Sequence, residues 1–161
     1  MSQKIFVERE NFGFPEGTLV HAKDSLKPIE EIQVGDWVLS HPQDEEPPTR
    51  FRLSEEYVYK RVVRTFFQED EEICEVILMD FGKNSEESVK TSLGHPFYVG
   101  DVGWVSAEEL NFRCKLYSTN NANLAVGGKA RCNGERAKVF NLEVEDFHTY
   151  YVGELGVWVH G

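Results

Sequence analysis

The residues Thr91-Ser92-Leu93-Gly94-His95-Pro96-Phe97 follow a strand-like run and place one histidine between a pair of hydroxyl residues and a proline. Proline fixes its own φ angle and biases the preceding residue toward extended geometry, so His95 is expected on a stiff, β-like backbone. A neutral imidazole can accept or donate a hydrogen bond near pH 7, and Ser92 can orient either the imidazole or a nearby peptide group. Taken alone, the stretch fits an ordinary hydrogen-bonded histidine at a strand end, so the rest of the chain has to decide its role.

Short strands predominate on both sides of this stretch. Upstream, residues 57–67 and 72–80 are rich in β-branched and aromatic side chains, and the acidic residues 68–71 between them predict the turn of a hairpin. Downstream, residues 138–145 alternate polar and apolar side chains over most of their length, as a half-buried strand does. Many short strands with frequent turns predict an all-β domain.

Helical signals are few and short. Residues 27–32 indicate a short helical turn or a tight bend. At residues 106–110, Ser106 is followed three positions later by Glu109, which is a capping-box pattern and predicts a short helix.

The composition sets limits on the function. A chain of 161 residues with 40% hydrophobic residues fits one domain with its own core. The 28 acidic and 17 basic residues give a formal net charge of -11, which argues against a nucleic-acid or anionic-membrane surface. No run approaches the roughly 20 apolar residues of a membrane helix, and no apolar signal core follows the first residues, so neither a membrane span nor a targeting signal is expected.

The three cysteines indicate neither zinc nor redox chemistry. Cys74, Cys114 and Cys132 are widely spaced and form no Cys-x-x-Cys pair, so reduced thiols are expected. Cys74 lies in a strand-like run and is expected to be buried, whereas Cys132 lies beside a turn and is expected to be exposed.

Five ordered blocks of the chain resemble the Hint (hedgehog/intein) family, and most closely the bacterial intein-like domains and the Hint modules that precede toxin tips in secreted bacterial proteins. The blocks are GFPEGTLV (13–20), KPIEEIQVGDWV (27–38), SLGHPF (92–97), GWVSAEEL (103–110) and VFNLEVEDFHTYYV (139–152), the last followed by GVWVH (156–160). The resemblance divides the chain into a flanking segment, residues 1–12, and a Hint-like domain, residues 13–161.

The resemblance implies a compact, pseudo-two-fold symmetric β-horseshoe that brings both ends of the domain to one site. It also implies autocatalytic processing of the chain's own flanking polypeptide, by splicing or by cleavage at either junction, without a cofactor or metal. A cysteine or serine at the first position attacks the preceding carbonyl, and a terminal asparagine cyclises to break the second bond. An amide is a poor leaving group, so the first step needs a nucleophile and a proton donor for the departing nitrogen.

At the N-terminal junction, the resemblance makes Phe12–Gly13 the scissile bond and Gly13 the nucleophile position. His95 would be the proton donor or hydrogen-bond partner there, and Ser92 and Thr91 would orient the peptide or the imidazole. Ser92 replaces the threonine of the usual pattern but keeps the hydroxyl.

At the C-terminal junction, the resemblance makes Gly161 the terminal asparagine position. His160 would polarise the carbonyl there, and His148 would relay protons between the junctions. In isolation, His148 fits a surface strand histidine equally well, and a histidine at a chain end is ordinarily inert. His21 and His41 match no reacting position and are expected to face solvent.

Both chemical ends depart from the family pattern, because neither Gly13 nor Gly161 carries a reacting side chain. We therefore expect this chain to be inactive as it stands. Deliberate replacement of both reacting residues is the favoured interpretation, since undirected drift would also be expected to alter the histidines. A naturally silent Hint scaffold or interaction module is the alternative.

Two other function classes are open from sequence. The candidate histidines, with Glu145 and Asp146 close to one of them, could in principle bind zinc, although no close ligand pair such as His-x-x-x-His is present. An acidic binding module could use Trp37, Trp104 and Trp158. A monomer without nucleic-acid or membrane partners is expected, and the acidic loop at 43–56 has no function that the sequence reveals.

Overall fold

The computed structural model describes residues 12–47, 58–119 and 124–161. Most of the predicted flanking segment, part of the acidic loop and residues 120–123 therefore lie outside the described residues.

Strands and two 3-10 turns make up the regular structure of these residues. The 3-10 turns are Ile29–Glu31 and Ala107–Glu109. The strands are β1 (Phe14–Pro15), β2 (Leu19–His21), β3 (Leu26–Pro28), β4 (Trp37–Ser40), β5 (Val58–Asp80), β6 (Ser85–Ser92), β7 (Pro96–Val99), β8 (Gly103–Ser106), β9 (Leu124–Val126), β10 (Arg136–Val144), β11 (Thr149–Val152) and β12 (Val157–His160). The all-β prediction is confirmed.

The strands form two six-stranded antiparallel sheets. One has the order β1-β10-β5-β4, with β6 and β9 also paired to β5, and the other has the order β3-β2-β11-β12-β7-β8. The heptapeptide around His95 joins β6 of the first sheet to β7 of the second. Because this stretch connects the two sheets, His95 lies close to residues of both sheets and to both ends of the described domain.

The predicted hairpin at residues 68–71 is wrong, because β5 runs without interruption for 23 residues. Across this segment β5 pairs with β10 in the register Gln68↔Val139 and Glu71↔Ala137, with a bulge in β5, where Glu69 and Asp70 lie opposite Lys138. The strand accommodates these acidic side chains because this part of β5 faces solvent. There Arg136 forms an ion pair with Asp70 at 2.9 Å. β5 then continues into its pairing with β6.

The predicted capping box is also wrong. Ser106 ends a strand, a single 3-10 turn follows it, and the Ser106 side chain makes no capping hydrogen bond. The amides at the start of this turn have other acceptors: Ala107 N donates to His95 O at 3.0 Å and Glu108 N donates to Leu93 O at 2.9 Å. The turn therefore fixes the heptapeptide's backbone.

The main hydrophobic core lies beneath the heptapeptide and includes Phe14, Phe97, Leu142 and Tyr150. A smaller aromatic cluster surrounds the fully buried Trp158. None of the helical segments in the described ranges has the length and apolar character that a membrane crossing requires.

Candidate functional site

Ser92 holds Gly13 from both sides. Gly13 N donates to Ser92 Oγ at 3.0 Å, and Ser92 N donates to Gly13 O at 2.9 Å. The Thr91 hydroxyl makes a longer contact with the same carbonyl, at 3.4 Å. All three residues are buried, so the amide between Phe12 and Gly13 is fixed in a site shielded from water.

The His95 ring packs against the aromatic residues on either side of Gly13 and also contacts the other end of the domain. Its centroid is 4.3 Å from that of Phe14 and 5.6 Å from that of Phe12. Its Nε2 atom is 2.6 Å from the carbonyl oxygen of His160. Since the side chain is fully buried, the imidazole contacts both ends of the described domain within a dry interior.

The environment keeps His95 neutral. Burial lowers its pKa to about 3, a stronger effect than the hydrogen bond to the His160 carbonyl, which raises it. A carbonyl oxygen only accepts, so Nε2 must carry the proton of the neutral ring and Nδ1 must be the free base nitrogen. Nδ1 is buried and has no hydrogen-bond partner among the described residues. Nδ1 of His95 can therefore accept a proton. Only after it has accepted one can Nδ1 act as a proton donor.

The C-terminal end is held by two histidines. His160 Nδ1 is 2.9 Å from Gly161 O, and Gly161 N donates to His148 O at 2.8 Å. His148 adopts a left-handed backbone conformation, with φ at +63°, which directs its carbonyl toward Gly161. Six of the seven sequence-predicted site residues thus come together through the contacts above, and His148 joins them through its backbone.

Neither glycine leaves room for a side chain. A Cβ atom on Gly13 would lie 2.8 Å from Phe140 O and 2.9 Å from Val139 Cβ. A Cβ atom on Gly161 would collide with Leu142 O. Both obstacles are backbone or Cβ atoms, which a side-chain rotation cannot move, so β10 closely packs against both ends.

Sequence reasoning missed Gln43, whose side chain contacts His160. Gln43 Oε1 is 2.5 Å from His160 Nε2, and Trp104 Nε1 donates to Gln43 O at 3.0 Å. Gln43 belongs to the acidic loop for which the sequence revealed no function. A loop rich in proline and glutamate carries no pattern that marks one residue as a partner of a histidine over a hundred positions away.

It also missed a buried polar pair beneath the C-terminal end. Tyr150 donates its hydroxyl proton to Asn141 Oδ1 at 2.7 Å, and Leu142 N donates to the same oxygen at 2.8 Å. The Tyr150 ring lies close beside Gly161 and packs 6.2 Å from Phe14. Asparagine is depleted in strands, so its presence in β10 is a signal that could have identified the pair.

The expectation that His21 and His41 face solvent is wrong. His21 Nε2 donates to Gly153 O at 2.7 Å, and His41 packs edge-on against Trp158 with its Nε2 buried. Burial lowers the pKa of both rings. His21 belongs to β2 of the second sheet, and His41 directly follows β4.

The other function classes find little geometric support. In the described ranges no group of three or more His, Cys, Asp or Glu side chains is arranged to hold a metal ion. Trp158 is fully buried and Trp104 is hydrogen-bonded to Gln43, so of the three tryptophans Trp37 alone is markedly exposed.

The chain is similar to known proteins in both sequence and fold. A family model described as the pretoxin HINT domain matches residues 19–161. The structure is similar to a bacterial intein-like domain from Clostridium thermocellum, with 33% identity, a TM-score of 0.71, and coverage of 92% of this chain and 98% of that one.

Two inteins share the fold at lower identity. The gp41-1 intein has 20% identity and a TM-score of 0.70, with coverage of 93% of this chain and 98% of that one. A DnaB intein from Synechocystis sp. has 16% identity and a TM-score of 0.65, with the same coverage. No curated protein sequence matches the chain.

Proposed function

Because the chain belongs to the pretoxin Hint family and has the fold of that family, we propose that it is a self-processing domain whose substrate is its own flanking polypeptide. The observation that carries the proposal is the position of His95: one buried, neutral imidazole packs against the rings of Phe12 and Phe14, on either side of Gly13, and hydrogen-bonds the His160 carbonyl at 2.6 Å. A single group thereby links the N-terminal junction to the residue that precedes position 161.

At the N-terminal junction, the proposed step is an acyl shift. A thiol or hydroxyl at position 13 adds to the carbonyl carbon of Phe12, and the bond from that carbon to the nitrogen of residue 13 breaks. The proton lost by the nucleophile passes to His95 Nδ1 and from there to the departing nitrogen, so His95 acts first as a base and then as an acid. The Ser92 hydroxyl, which accepts from that nitrogen at 3.0 Å, holds it in place.

At the C-terminal junction, the side-chain amide nitrogen of an asparagine at position 161 would attack the main-chain carbonyl carbon of the same residue and form a cyclic imide. The peptide bond to the following residue breaks, and the proton lost by the attacking nitrogen passes to the departing amine. His160 Nδ1, 2.9 Å from Gly161 O, is suited to donate a hydrogen bond to the oxygen as it gains negative charge. The bond from Gly161 N to His148 O supports a role for His148 in holding this residue. Glycine has neither nucleophile, so the chain as it stands is proposed to be inactive at both junctions.

A naturally silent Hint scaffold is the second candidate, and the packing of the two glycines favours it. A Cβ atom at either position meets a backbone oxygen, so simple restoration of cysteine or asparagine requires β10 to shift. A domain adapted to glycine at both ends would keep its fold and its histidines without performing the chemistry.

The test is a precursor with a foreign domain fused at each end. Gly13→Cys and Gly161→Asn are made singly and together, and products are identified by intact-mass spectrometry. Fragments or a ligated product, with His95→Ala blocking the N-terminal step and His160→Ala the C-terminal step, would support a disabled self-processing domain. Gly13→Ala and Gly161→Ala are the matched controls, because they introduce the same Cβ atoms without a nucleophile.

A folded double revertant that stays whole, with or without added thiol and across pH, would reject self-processing and favour the silent scaffold. Folding is checked by circular dichroism against the alanine controls, so a steric failure is distinguished from an absence of chemistry.

A further inference from the structure

Both ring nitrogens of His160 face an oxygen atom. Nδ1 is 2.9 Å from Gly161 O and Nε2 is 2.5 Å from Gln43 Oε1. A neutral imidazole has one N–H donor and one acceptor nitrogen, so it cannot donate to both oxygens at once. The arrangement therefore requires either a cationic ring or a different orientation of the Gln43 amide.

The Gln43 amide can satisfy both protonation states of the ring. The oxygen and the NH2 group of a glutamine are nearly the same size and exchange places by a half turn of the amide. With the NH2 group toward Nε2, Gln43 donates to Nε2 and the ring proton resides on Nδ1, where it points at Gly161 O. With the oxygen toward Nε2, the same residue accepts from the protonated ring.

The alternative neutral form is disfavoured. If the proton were on Nε2, the lone pair of Nδ1 would face the lone pairs of Gly161 O across 2.9 Å, with no proton between them. Such a contact leaves a buried acceptor unsatisfied, at a cost of about 1–3 kcal/mol.

Contacts of the loop around Gln43 hold its side chain next to His160. Trp104 Nε1 donates to Gln43 O at 3.0 Å, and the Trp104 ring stands edge-on to His160 with centroids 5.1 Å apart. Three residues along the loop, the Glu46 carboxylate accepts hydrogen bonds from Tyr117 at 2.9 Å and Tyr98 at 3.2 Å. The described part of the loop is thus anchored at the Gln43 backbone and again three residues later.

We propose that Gln43 is a positioning residue that keeps the proton of neutral His160 on Nδ1, directed at the carbonyl of residue 161. Its value for catalysis rests on the proposed self-processing function, since that carbonyl would be the one polarised at the C-terminal junction. The tautomer itself is a property of the chain as it exists and does not depend on any reaction.

Nitrogen-15 NMR of the histidine rings in the unmodified chain tests the proposal, because the two ring nitrogens have different shifts in each tautomer. Neutral His160 is expected mainly as the Nδ1–H form. In Gln43→Glu, whose carboxylate only accepts, the neutral ring is expected to shift mainly to Nε2–H. In Gln43→Met, which keeps the length but removes the amide, Gly161 O alone still favours Nδ1–H, so the share of that form is expected to fall without a full switch. Gln68→Met on β5 is the control.

An Nε2–H form in the unmodified chain would overturn the proposal, as would a tautomer unchanged in both Gln43 variants. The backbone contact of Gln43 with Trp104 survives either substitution, and the tryptophan indole resonance reports whether the loop stays docked. The NMR measurement does not depend on the precursor assay. The tautomer proposal and the self-processing proposal can therefore be rejected independently of each other.

A different observation concerns two of the cysteines. Glu75 of β5 and Arg131 form an isolated antiparallel bridge and exchange both backbone hydrogen bonds, at 3.0 and 2.9 Å. Their neighbours Cys74 and Cys132 therefore form the adjacent, non-hydrogen-bonded pair, in which Cα atoms lie about 4.5 Å apart. This separation is within the range of about 4.4–6.8 Å that disulfides span. Both thiols are free in the structure.

We also infer that Cys74 and Cys132 are the site of an intramolecular disulfide that a low-molecular-weight disulfide, such as oxidised glutathione, can form. The exposed Cys132 thiolate attacks the glutathione disulfide, forms a mixed disulfide and releases one glutathione thiolate. Cys74 loses its proton to solvent and attacks the Cys132 sulfur, forming the protein disulfide and releasing the second. Two protein thiols are oxidised and one glutathione disulfide is reduced to two thiols.

Closure is expected to be slow near neutral pH. Burial, reinforced by the neighbouring Cys132, raises the pKa of Cys74 to about 12, so its thiolate is scarce. In the sheet Cys74 is also the direct partner of Thr91. The Cys74–Cys132 disulfide would therefore lie one strand away from the residues that hold Gly13.

The test incubates the whole chain with oxidised glutathione at rising pH, followed by alkylation and peptide mass mapping. The expected product has lost two hydrogen masses, carries a Cys74–Cys132 crosslink, and keeps an alkylated Cys114 as its internal control. Cys132→Ser should prevent closure. A mixed disulfide at Cys132 that never closes, or a crosslink that involves Cys114, would overturn the inference.

Discussion

The Nε2 atom of His95 donates a hydrogen bond to the carbonyl oxygen of His160 at 2.6 Å, across 65 positions of the sequence. The same ring packs against Phe14, which follows Gly13 at the other end of the domain. The interaction requires a neutral ring with its proton on Nε2, and complete burial supplies that condition by disfavouring the imidazolium form.

Acidification is expected to destabilise the domain through His95. Burial lowers its pKa from 6.5 to about 3, so between those pH values the unfolded chain binds a proton that the folded chain does not. The free energy of unfolding therefore falls as the pH drops through this window, by about 2 kcal/mol at pH 5 from this residue alone.

Urea unfolding of the unmodified chain and of His95→Gln, near pH 7 and pH 5, measures the effect. Glutamine does not titrate and retains a donor for His160 O, so the variant should lose less stability on acidification. The lowered pKa values of His21 and His41 act in the same direction in both proteins and cancel in the comparison. Equal pH dependence of the two proteins would contradict the prediction.

The sequence was sufficient for the fold class, because short β-branched runs and turns recur along the whole chain. It failed at residues 68–71, where an acidic cluster has the composition of a turn but continues β5, since pairing with β10 lies far away in sequence. It failed again at Ser106, whose capping pattern is local, whereas the acceptors of the following amides, Leu93 and His95, come from another segment.

The site was predictable where family motifs mark it and unpredictable where only tertiary packing does. Residues such as Ser92, His95 and His160 carry the resemblance and come together in the structure. Gln43 acquires its contact from the docking of a loop, and the lack of space around Gly13 depends on the approach of β10. Neither property is encoded in a local pattern.

Removal of the Ser92 hydroxyl is expected to cost more stability than removal of the Thr91 hydroxyl. Ser92→Ala leaves the buried Gly13 N–H without its acceptor at 3.0 Å, at a cost of about 1–3 kcal/mol. Thr91→Val removes a contact of 3.4 Å to a carbonyl that still accepts from Ser92 N, so its cost should be about 1 kcal/mol or less. Denaturant unfolding measures both. Equal losses would show that Ser92 does not hold Gly13 through its hydroxyl.

A methyl group at position 13 is expected to destabilise the domain. In Gly13→Ala the new Cβ atom meets Phe140 O and Val139 Cβ closer than 3 Å, and such overpacking costs about 1–3 kcal/mol. Gly128→Ala is the matched control, because beyond its chain neighbours no atom lies within 4 Å of the position its Cβ would take, and its stability should change by less than about 1 kcal/mol. Thermal unfolding compares the two. A neutral Gly13→Ala would mean that β10 yields readily and that restoring cysteine is sterically simple.

The Glu46 carboxylate is expected to control the ionisation of Tyr117. Burial, and then the hydrogen bond and negative charge of Glu46, raise the pKa of Tyr117 to about 12. In Glu46→Gln the charge is lost, so the Tyr117 pKa should fall toward the ordinary value of 10 while burial keeps it above that value. An NMR titration of ring-labelled tyrosine measures the shift, and Glu45→Gln, one residue earlier in the exposed part of the loop, is the control.

Since a raised tyrosine pKa contributes stability that is lost as the pH rises above 10, the Glu46→Gln variant should also show a weaker dependence of unfolding free energy on pH between 10 and 12. If Glu46→Gln and Glu45→Gln give the same Tyr117 pKa, the loop is not anchored through Glu46, and the fixed position of Gln43 beside His160 loses one of its supports.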